Sequence, residues 1–514
     1  MPELTPDRRR EFLAIAGLFA VGLILRIVRL DVLPNGLFCD EASAGYDAYA
    51  LLQTGQDQFG APWPLFARSF GDYDEASYRY LAMPFVALLG LNELATRMPA
   101  ALIGALTIPA MWLTARQLWG RTAGLVAALL LTLSPWHVQF SRIAFRGILL
   151  PFCLLVGVAS WLHARRDGRF LWLAALALSA GLWTYSPARM LVPTLTLVLF
   201  GLFAGEFWPH ARRHLLGGAL LFGVVLAILS SHWLSPEGRA RSAFLLAPRD
   251  TWLANLWSYF SPQFLLLNGD PNPRHHVAQG GQLDPVVALL ALVGLAVGLW
   301  KRQRADWLLP AWLLLAAIPA ALTEPAHALR DIGALPAWIL LAARGATHVL
   351  EQAQLRLPRP NAAAIALTLA LLMSAGVPLA RYFGDYGAES SPHWQFGYRQ
   401  ALELARQRHP PCLVLSDHLF LPHIFALFYY RLPPAAYQAH PVQTVRQGSW
   451  IVTDWALGQL SVENTRKASA RPEQQRCTFI VAPRDEARLD PAVRTHVERV
   501  VAPDGTLVML VAGQ

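Results

Sequence analysis

Runs of about twenty mostly apolar residues recur along this chain, broken by short interruptions rich in arginine. A helix needs roughly 20 such residues to cross the hydrocarbon layer of a bilayer. Segments of this kind fall near residues 11–30, 97–116, 122–136, 147–163, 169–186, 190–206, 214–233, 284–300, 306–323, 331–350 and 362–382, about eleven spans in all. The composition agrees: 54% of the 514 residues are hydrophobic and only 15% are charged, as in an integral membrane protein. A formal net charge of +9 would suit nucleic acid, but the arginines sit in short clusters between the apolar runs, as topology signals do, and nucleic acid is not an expected partner. The amino-terminal "MPELTPDRRREFLAIAGLFAVGLILRIVRLD" has a basic flank and an apolar run but no small-residue cleavage site, so it reads as a retained first span.

Short cytoplasmic loops collect Lys and Arg. With Arg8, Arg9 and Arg10 inside, alternate loops carry Arg116 and Arg121, then Arg165, Arg166 and Arg169, then Arg212 and Arg213, then Lys301, Arg302 and Arg304, then Arg356 and Arg359. An odd number of spans then places residues 383–514 outside. The expected organisation is a transmembrane catalytic domain over 1–382, with long outer loops at 31–80 and 234–283, followed by a soluble extracytoplasmic domain over 383–514. That last region holds the short β-rich runs "CLVLSD", "SWIVTDW", "CTFIVAP" and "GTLVMLVAG" between helical patterns, which predicts a small α/β fold. Cys412 and Cys477 both lie in it, and a disulfide between them is compatible with an outer location, although spacing alone does not fix the pairing.

The outer loops should be poor in cations. Instead they hold Arg142, Arg146, Arg189, Arg239, Arg241, Arg249, Arg274, His275, His276, His327 and Arg330. Some long side chains at a membrane face merely snorkel to the headgroups, yet a set kept against the positive-inside bias points to a bound anion. A transferase working outside has no nucleotide-activated donors, so its donor must arrive in the bilayer, and a polyprenyl phosphate sugar is such a molecule. Its phosphate lies at headgroup level, where Arg142, Arg146, Arg274, His275, His327 and Arg330 are the expected ligands; the planar guanidinium fork suits phosphate, and cations there stabilise the charge that builds on the leaving group.

The acceptor hydroxyl or amine must lose a proton as it attacks, and a carboxylate within reach can take it. "LFCDEASAGYDAYALLQTGQDQFG" sets Asp40 and Glu41 where the first span meets water. Adjacent side chains point in different directions, so only one faces the reacting atoms, and Asp40 is the choice. "FGDYDEASYRY" adds Asp72, Asp74 and Glu75. Asp40, Glu41 and Asp72 are the expected catalytic carboxylates, with Tyr46, Tyr73, Asp74 and His137 on the acceptor side or in support. Asp40 and Asp72 could also hold a divalent cation, although no metal or other cofactor is required. For Asp74, Glu75 and Asp57 the competing reading is a solvated loop charge, and for His137 an interfacial side chain paired to the backbone.

These residues resemble the bacterial family 39 type of GT-C glycosyltransferases, relatives of protein O-mannosyltransferases and aminoarabinose transferases. The likeness covers most of the chain through "DEASAGYDAYALLQTGQDQFG", "LFARSFGDYDEASYRYLAMPF", "LNELATRMPAALIGALT", "SPWHVQFSRIAFRG", "YFSPQFLLLNGDPNPRHH" and "HALRDIGALPAWILLAA". It implies a polytopic GT-C fold and an inverting transferase at the outer face of the bacterial cytoplasmic membrane. That enzyme moves a sugar from a polyprenyl phosphate carrier to a glycan, lipid or protein acceptor, with the Asp of the "DE" motif, Asp40, as base and Glu41 beside it, while the Asp of "SFGDY" corresponds to Asp72.

Other functions use similar parts. A secondary transporter places its charges near the midplane on broken helices, whereas here they gather at one face. A prenyl phosphate flippase, a surface-glycan polymerase and a non-catalytic envelope assembly factor are the alternatives.

Overall fold

The structure is a computed structural model and describes residues 5–236, 238–239, 246–277, 280–447, 449–452 and 455–513. Arg241 lies outside the described residues. The chain separates into two compact units, one of residues 1–28 and 100–382 and the other of residues 29–99 and 383–514.

The first unit is helical. Each expected span coincides with a helix or part of one: Pro6–Ile27, Glu93–Trp119 (which starts in the second unit), Arg121–Leu133, Leu149–His163, Phe170–Leu182, Ala188–Trp233, Pro285–Lys301, Arg304–Ala321, Leu335–Arg356 and Pro360–Phe383. Within Ala188–Trp233 two apolar stretches, Ala188–Trp208 and Ala211–Trp233, take the place of two expected spans. Pro193 and Phe200 of the first stretch line one cavity with Leu215 and Leu226 of the second.

Among the described residues six helical segments are both long and apolar enough to cross a membrane. Arg121–Leu133 and Phe170–Leu182 have only 13 residues each, about 20 Å of helix at 1.5 Å per residue, which is short of the hydrocarbon thickness of ~30 Å. The outermost helices expose their apolar side chains freely: Met373 and Val377 are each 73% exposed and Leu220 is 69% exposed. A water-soluble protein rarely leaves such surfaces bare. In lipid they carry no penalty, because the helix satisfies its own backbone.

Helix starts follow local chemistry. The Asp284 side chain accepts from the amides of Val286 and Val287, with Pro285 at the first helical position, so the chain turns into Pro285–Lys301. That helix lies against the buried Leu335–Arg356, and two glycines set the approach. A Cβ on Gly294 would stand 2.0 Å from the Leu341 carbonyl oxygen, and one on Gly345 would stand 2.0 Å from that of Leu290. Small residues allow this backbone contact between membrane helices, where dispersion replaces the hydrophobic effect as the cohesive force.

The second unit joins the first outer loop to the carboxy-terminal region. Packing therefore groups the chain differently from the expected division at residue 382. The loop folds into the helix Cys39–Thr54, a hairpin of β1 (Phe66–Ser69) and β2 (Asp72–Glu75), and the helix Ser77–Leu89. Tyr46 and Ala48 share one buried cluster with Ile424, Phe425, Leu427 and Phe428 from the helix Pro422–Tyr430. Gly45 makes the contact close, since a Cβ there would meet Thr96 Oγ1 at 2.5 Å and the Phe428 ring at 2.8 Å.

Behind that helix stands the expected α/β fold. Its strands are β3 (Leu413–Ser416), β4 (Thr444–Gln447), β5 (Ser449–Val452), β6 (Trp455–Leu457), β7 (Leu460–Glu463), β8 (Thr478–Val481), β9 (Val497–Val501) and β10 (Leu507–Ala512). Six of them form a sheet in the order β6-β7-β3-β8-β10-β9, with β3 parallel to both β7 and β8 and the outer pairs antiparallel. Every residue of β3 and β8 is buried, as central strands covered on both faces require. The run "SWIV" pairs with β4 in a separate hairpin rather than joining the sheet. Cys412 and Cys477, just ahead of β3 and β8, are joined as a disulfide.

Gly345→Leu should force the two backbones apart. We expect a destabilisation of at least about 3 kcal/mol, at the upper end of overpacking costs, read as a lowered thermal midpoint in detergent and a loss of monodisperse protein by size-exclusion chromatography, with Gly201→Leu, where nothing lies near a Cβ, close to wild type.

Candidate active site

The acid pair is divided by its surroundings. Phe38 is extended and Cys39–Thr54 starts directly after it; the Glu41 carboxylate reaches back and accepts from the Phe38 amide at 3.1 Å. Its main partner is Arg97. The Arg97 Nε and Nη2 donate to the two Glu41 oxygens at 2.8 and 2.9 Å, and the remaining donors go to the carbonyls of Leu30, Pro34 and Gly36 at 3.2, 3.1 and 2.6 Å. Both side chains are fully buried. A buried guanidinium with all its donors engaged is a structural group, so Glu41, expected as catalytic, instead holds the turn that precedes the helix. Asp40, one residue earlier, is exposed on the first helical turn, where the positive end of the helix favours negative charge. The Cys39 amide beside it is held by Gln395 Oε1 at 2.7 Å.

The second acidic stretch divides likewise. Asp72 is half-buried at the start of β2, its carboxylate accepting from the Tyr73 amide at 2.7 Å, and Tyr73 is half-buried too. Asp74 is buried against Arg79 at 2.5 Å. Sequence reasoning missed the other partner of Arg79, Asp47, which meets its Nε at 2.5 Å and accepts from the Gln58 amide at 2.9 Å. Burial pushes the Asp47 carboxyl up to about 6, against the pull of Arg79. The Arg79 guanidinium is held above its ordinary value by Asp74 and Asp47, against the opposing effect of burial. Asp74 thus belongs to an internal ion network rather than to an acceptor site. Asp57 accepts from the amides of Phe59 and Ala61, both at 2.9 Å, and shapes its own turn. Tyr46 is buried and donates to the Leu432 carbonyl at 2.9 Å, a packing role instead of an acceptor contact.

In the helical unit the expected phosphate ligands fall into three groups. Arg142 is fully buried. It donates to the carbonyls of Leu25 and Val28 at 2.8 and 2.7 Å and to the Tyr382 hydroxyl at 3.0 Å, so it caps the end of Pro6–Ile27 and has no face left for a phosphate. His137 is buried alike. Its Nδ1 lies 2.8 Å from the Arg26 guanidinium, which can only donate, so that nitrogen accepts and the imidazole ties Pro6–Ile27 to the short helix Pro135–Phe140.

His275 is buried next to Asp270 and His327, the second group. One ligand atom from each of the three lies within 4.8 Å of the other two, and this is the group of metal-type side chains found among the described residues; it includes neither Asp40 nor Asp72. Asp270 was not anticipated, although it stands in the quoted "NGDPNPRHH". Arg146, Arg274 and Arg330 make up the third group, each partly exposed. Arg146 stacks over the Tyr185 ring, 5.5 Å from its centroid. Arg274 leans on Asn272, and Arg330 pairs with Glu324.

Residues 77–234 match the family described as dolichyl-phosphate-mannose-protein mannosyltransferase. A curated Bacillus subtilis protein, "Putative mannosyltransferase YycA", is 29% identical over 162 residues, a match that takes in 31% of this chain and 23% of that protein's length. The chain therefore spans about a quarter of that relative. Among solved structures, ArnT from Cupriavidus metallidurans bound to undecaprenyl phosphate superposes over 97% of each chain with a TM-score of 0.58 at 16% identity. The Archaeoglobus fulgidus oligosaccharyltransferase AglB, in complex with an inhibitory peptide and a dolichol-phosphate, covers 94% of this chain and 70% of its own with a TM-score of 0.54 at 11% identity. The structural likeness establishes the shared fold, that of a multi-pass membrane protein. Together with the match over residues 77–234, it shows a chain similar to the GT-C glycosyltransferases.

Proposed function

We propose that this protein transfers a sugar from a polyprenyl phosphate carrier to an acceptor on the outer face of the bacterial cytoplasmic membrane, with inversion at the sugar carbon. The observation that carries the reading is the division within the acid pair: Arg97 occupies Glu41, while Asp40 stands exposed on the first turn of its helix. The shared fold with ArnT in its undecaprenyl phosphate complex and with AglB in its dolichol-phosphate complex supports a lipid phosphate carrier. The Cys412–Cys477 disulfide supports an oxidising compartment for the α/β domain.

Asp40 takes the proton of the acceptor hydroxyl or amine as the acceptor heteroatom bonds to the sugar carbon and the bond from that carbon to the phosphate oxygen breaks. Arg146, Arg274 and Arg330 bind the carrier phosphate and stabilise the charge it gains on leaving. Asp72 orients the acceptor. The acceptor class is a glycan, a lipid or a protein; the enzyme requires no organic cofactor.

Purified protein in nanodiscs, given a panel of radiolabelled polyprenyl phosphate sugars, should consume one of them. Asp40→Asn should lower turnover about 10²–10⁴-fold, the usual range for a lost general base, with an unchanged thermal midpoint; full activity in that variant would overturn the assignment. Arg146→Ala, Arg274→Ala and Arg330→Ala should raise KM for the donor.

Glu41→Gln should behave differently. It strips a buried guanidinium of its counter-ion, which typically costs about 3–5 kcal/mol, so the expected result is a lowered melting temperature with residual activity following the folded fraction.

A further inference from the structure

The carboxyl ends of the parallel strands in the α/β fold carry charged and polar side chains that the proposed chemistry does not use. We infer that the crevice between the exits of β3 and β8 is a binding site for an anionic sugar, one bearing a phosphate or a carboxylate group.

Topology puts the crevice there. β3 and β8 are parallel neighbours. The chain leaves β3 toward β6 and β7 on one side of the sheet, and leaves β8 toward β9 and β10 on the other. Helices cover both faces: Leu415 and Ile480 share a cluster with Leu402 and Ile424, whereas Val414 and Phe479 share another with Ala468. In open α/β sheets ligands bind outside the carboxyl ends of the strands, at the point where the connections part in this way. The pairing of β3 with β8 stops at Leu415 and Ile480, and the Cys412–Cys477 bond closes the opposite end.

Residues just beyond each exit supply the chemistry. Asp485, after β8, is fully buried; its Oδ2 accepts from Ser416 Oγ at 3.0 Å, and its Oδ1 lies 2.7 Å from Nδ1 of the partly exposed His418. An ionised carboxylate only accepts, so the proton is on Nδ1 and the ring is held between the two exits. The Arg488 guanidinium, 51% exposed, lies 3.4 Å from His418 Nε2, and the exposed Arg484 donates to the His418 carbonyl at 3.3 Å. Those contacts use Nη1 of Arg488 and Nη2 of Arg484. The other guanidinium N–H groups form a fork of donors suited to an oxyanion.

The sugar follows from acceptors left over. Asp417, next to His418, accepts from Asn464 Nδ2 at 3.4 Å through Oδ2, but its Oδ1 is buried with no hydrogen-bond partner among the described residues. The Thr465 hydroxyl, just beyond the exit of β7, is in the same state. Buried polar atoms without partners are costly, and a ligand hydroxyl entering between the exits relieves the deficit. Cations beside an unfilled carboxylate suit a ligand that is both anionic and rich in hydroxyls. They disfavour a bare anion, which Asp417 repels. A purely structural reading exists, in which Asp485 only staples the two exits and the arginines are solvated, and the experiment separates the two.

Full-length protein in nanodiscs is titrated by isothermal calorimetry with the 6-phosphates and the uronates of glucose, galactose and mannose, and with the parent hexoses and inorganic phosphate as controls. At least one anionic sugar should bind, one per chain and about tenfold or more tighter than either control, the strength expected of a hydrogen bond to a charged group. The phosphate and uronate arms identify the anionic group. Arg484→Ala with Arg488→Ala, both on exposed side chains, should weaken that sugar about 10–100-fold with an unchanged melting temperature. Asp417→Asn should narrow the preference for the sugar over inorganic phosphate. No anionic sugar binding above the controls overturns the inference. So does binding that survives in the double arginine variant, since Arg146, Arg274 and Arg330 are intact there. The titration involves no sugar transfer, so its result stands apart from the fate of Asp40.

Discussion

The buried guanidinium of Arg97 is the constraint on which the arrangement of the acid pair rests. It reaches three backbone carbonyls, those of Leu30, Pro34 and Gly36, and both oxygens of Glu41. A loop here would otherwise carry unsatisfied carbonyls into a protein interior, where each costs a few kcal/mol. By saturating them with one side chain, the fold converts a flexible stretch into a fixed lead-in for Cys39–Thr54. Asp40 inherits that rigidity without being part of the ion pair.

The helical unit uses cations in a second way. Arg26 and Arg142 are fully buried, and their contacts include backbone carbonyls, His137 and Tyr382. Helix ends in a low-dielectric setting leave carbonyls with concentrated negative potential, and an arginine fork meets two at once. The same residue type that would bind a lipid phosphate at the surface thus serves, where it is buried, to fasten helices. Exposure separates the two uses, and Arg146, Arg274 and Arg330 are on the open side of that line.

What could be read in the sequence follows from where the signal is written. Spans were legible because lipid demands length and apolarity together, and the α/β region because its strands are short, β-branched and punctuated by turns. "CLVLSD" became β3 and "CTFIVAP" became β8. β4, β6, β7 and β9 were missed, being of mixed polarity and defined by their neighbours rather than by their own composition. The side-chain assignments divide by range. Asp40 was singled out from its position at the end of a span. The capture of Glu41 by Arg97, of Asp74 by Arg79 and of His275 by Asp270 depends on contacts across 56, 5 and 5 positions. Even the near ones were hidden, because a turn rather than a helical period brings them together. Burial was the other unread quantity: nothing in "SPWHVQFSRIAFRG" tells Arg142 from Arg146, yet one is sealed and the other partly open.

The bond between Cys412 and Cys477 has a consequence for how the molecule is made. It links the entrances of two neighbouring central strands, β3 and β8, across 65 positions of chain. Those strands follow the described apolar helices in chain order, so the sheet at the heart of this region closes after those helices have been synthesised. Assembly of the sheet therefore includes a thiol oxidation step, and a cell that inserts this protein must also supply an electron acceptor on the side where that sheet assembles.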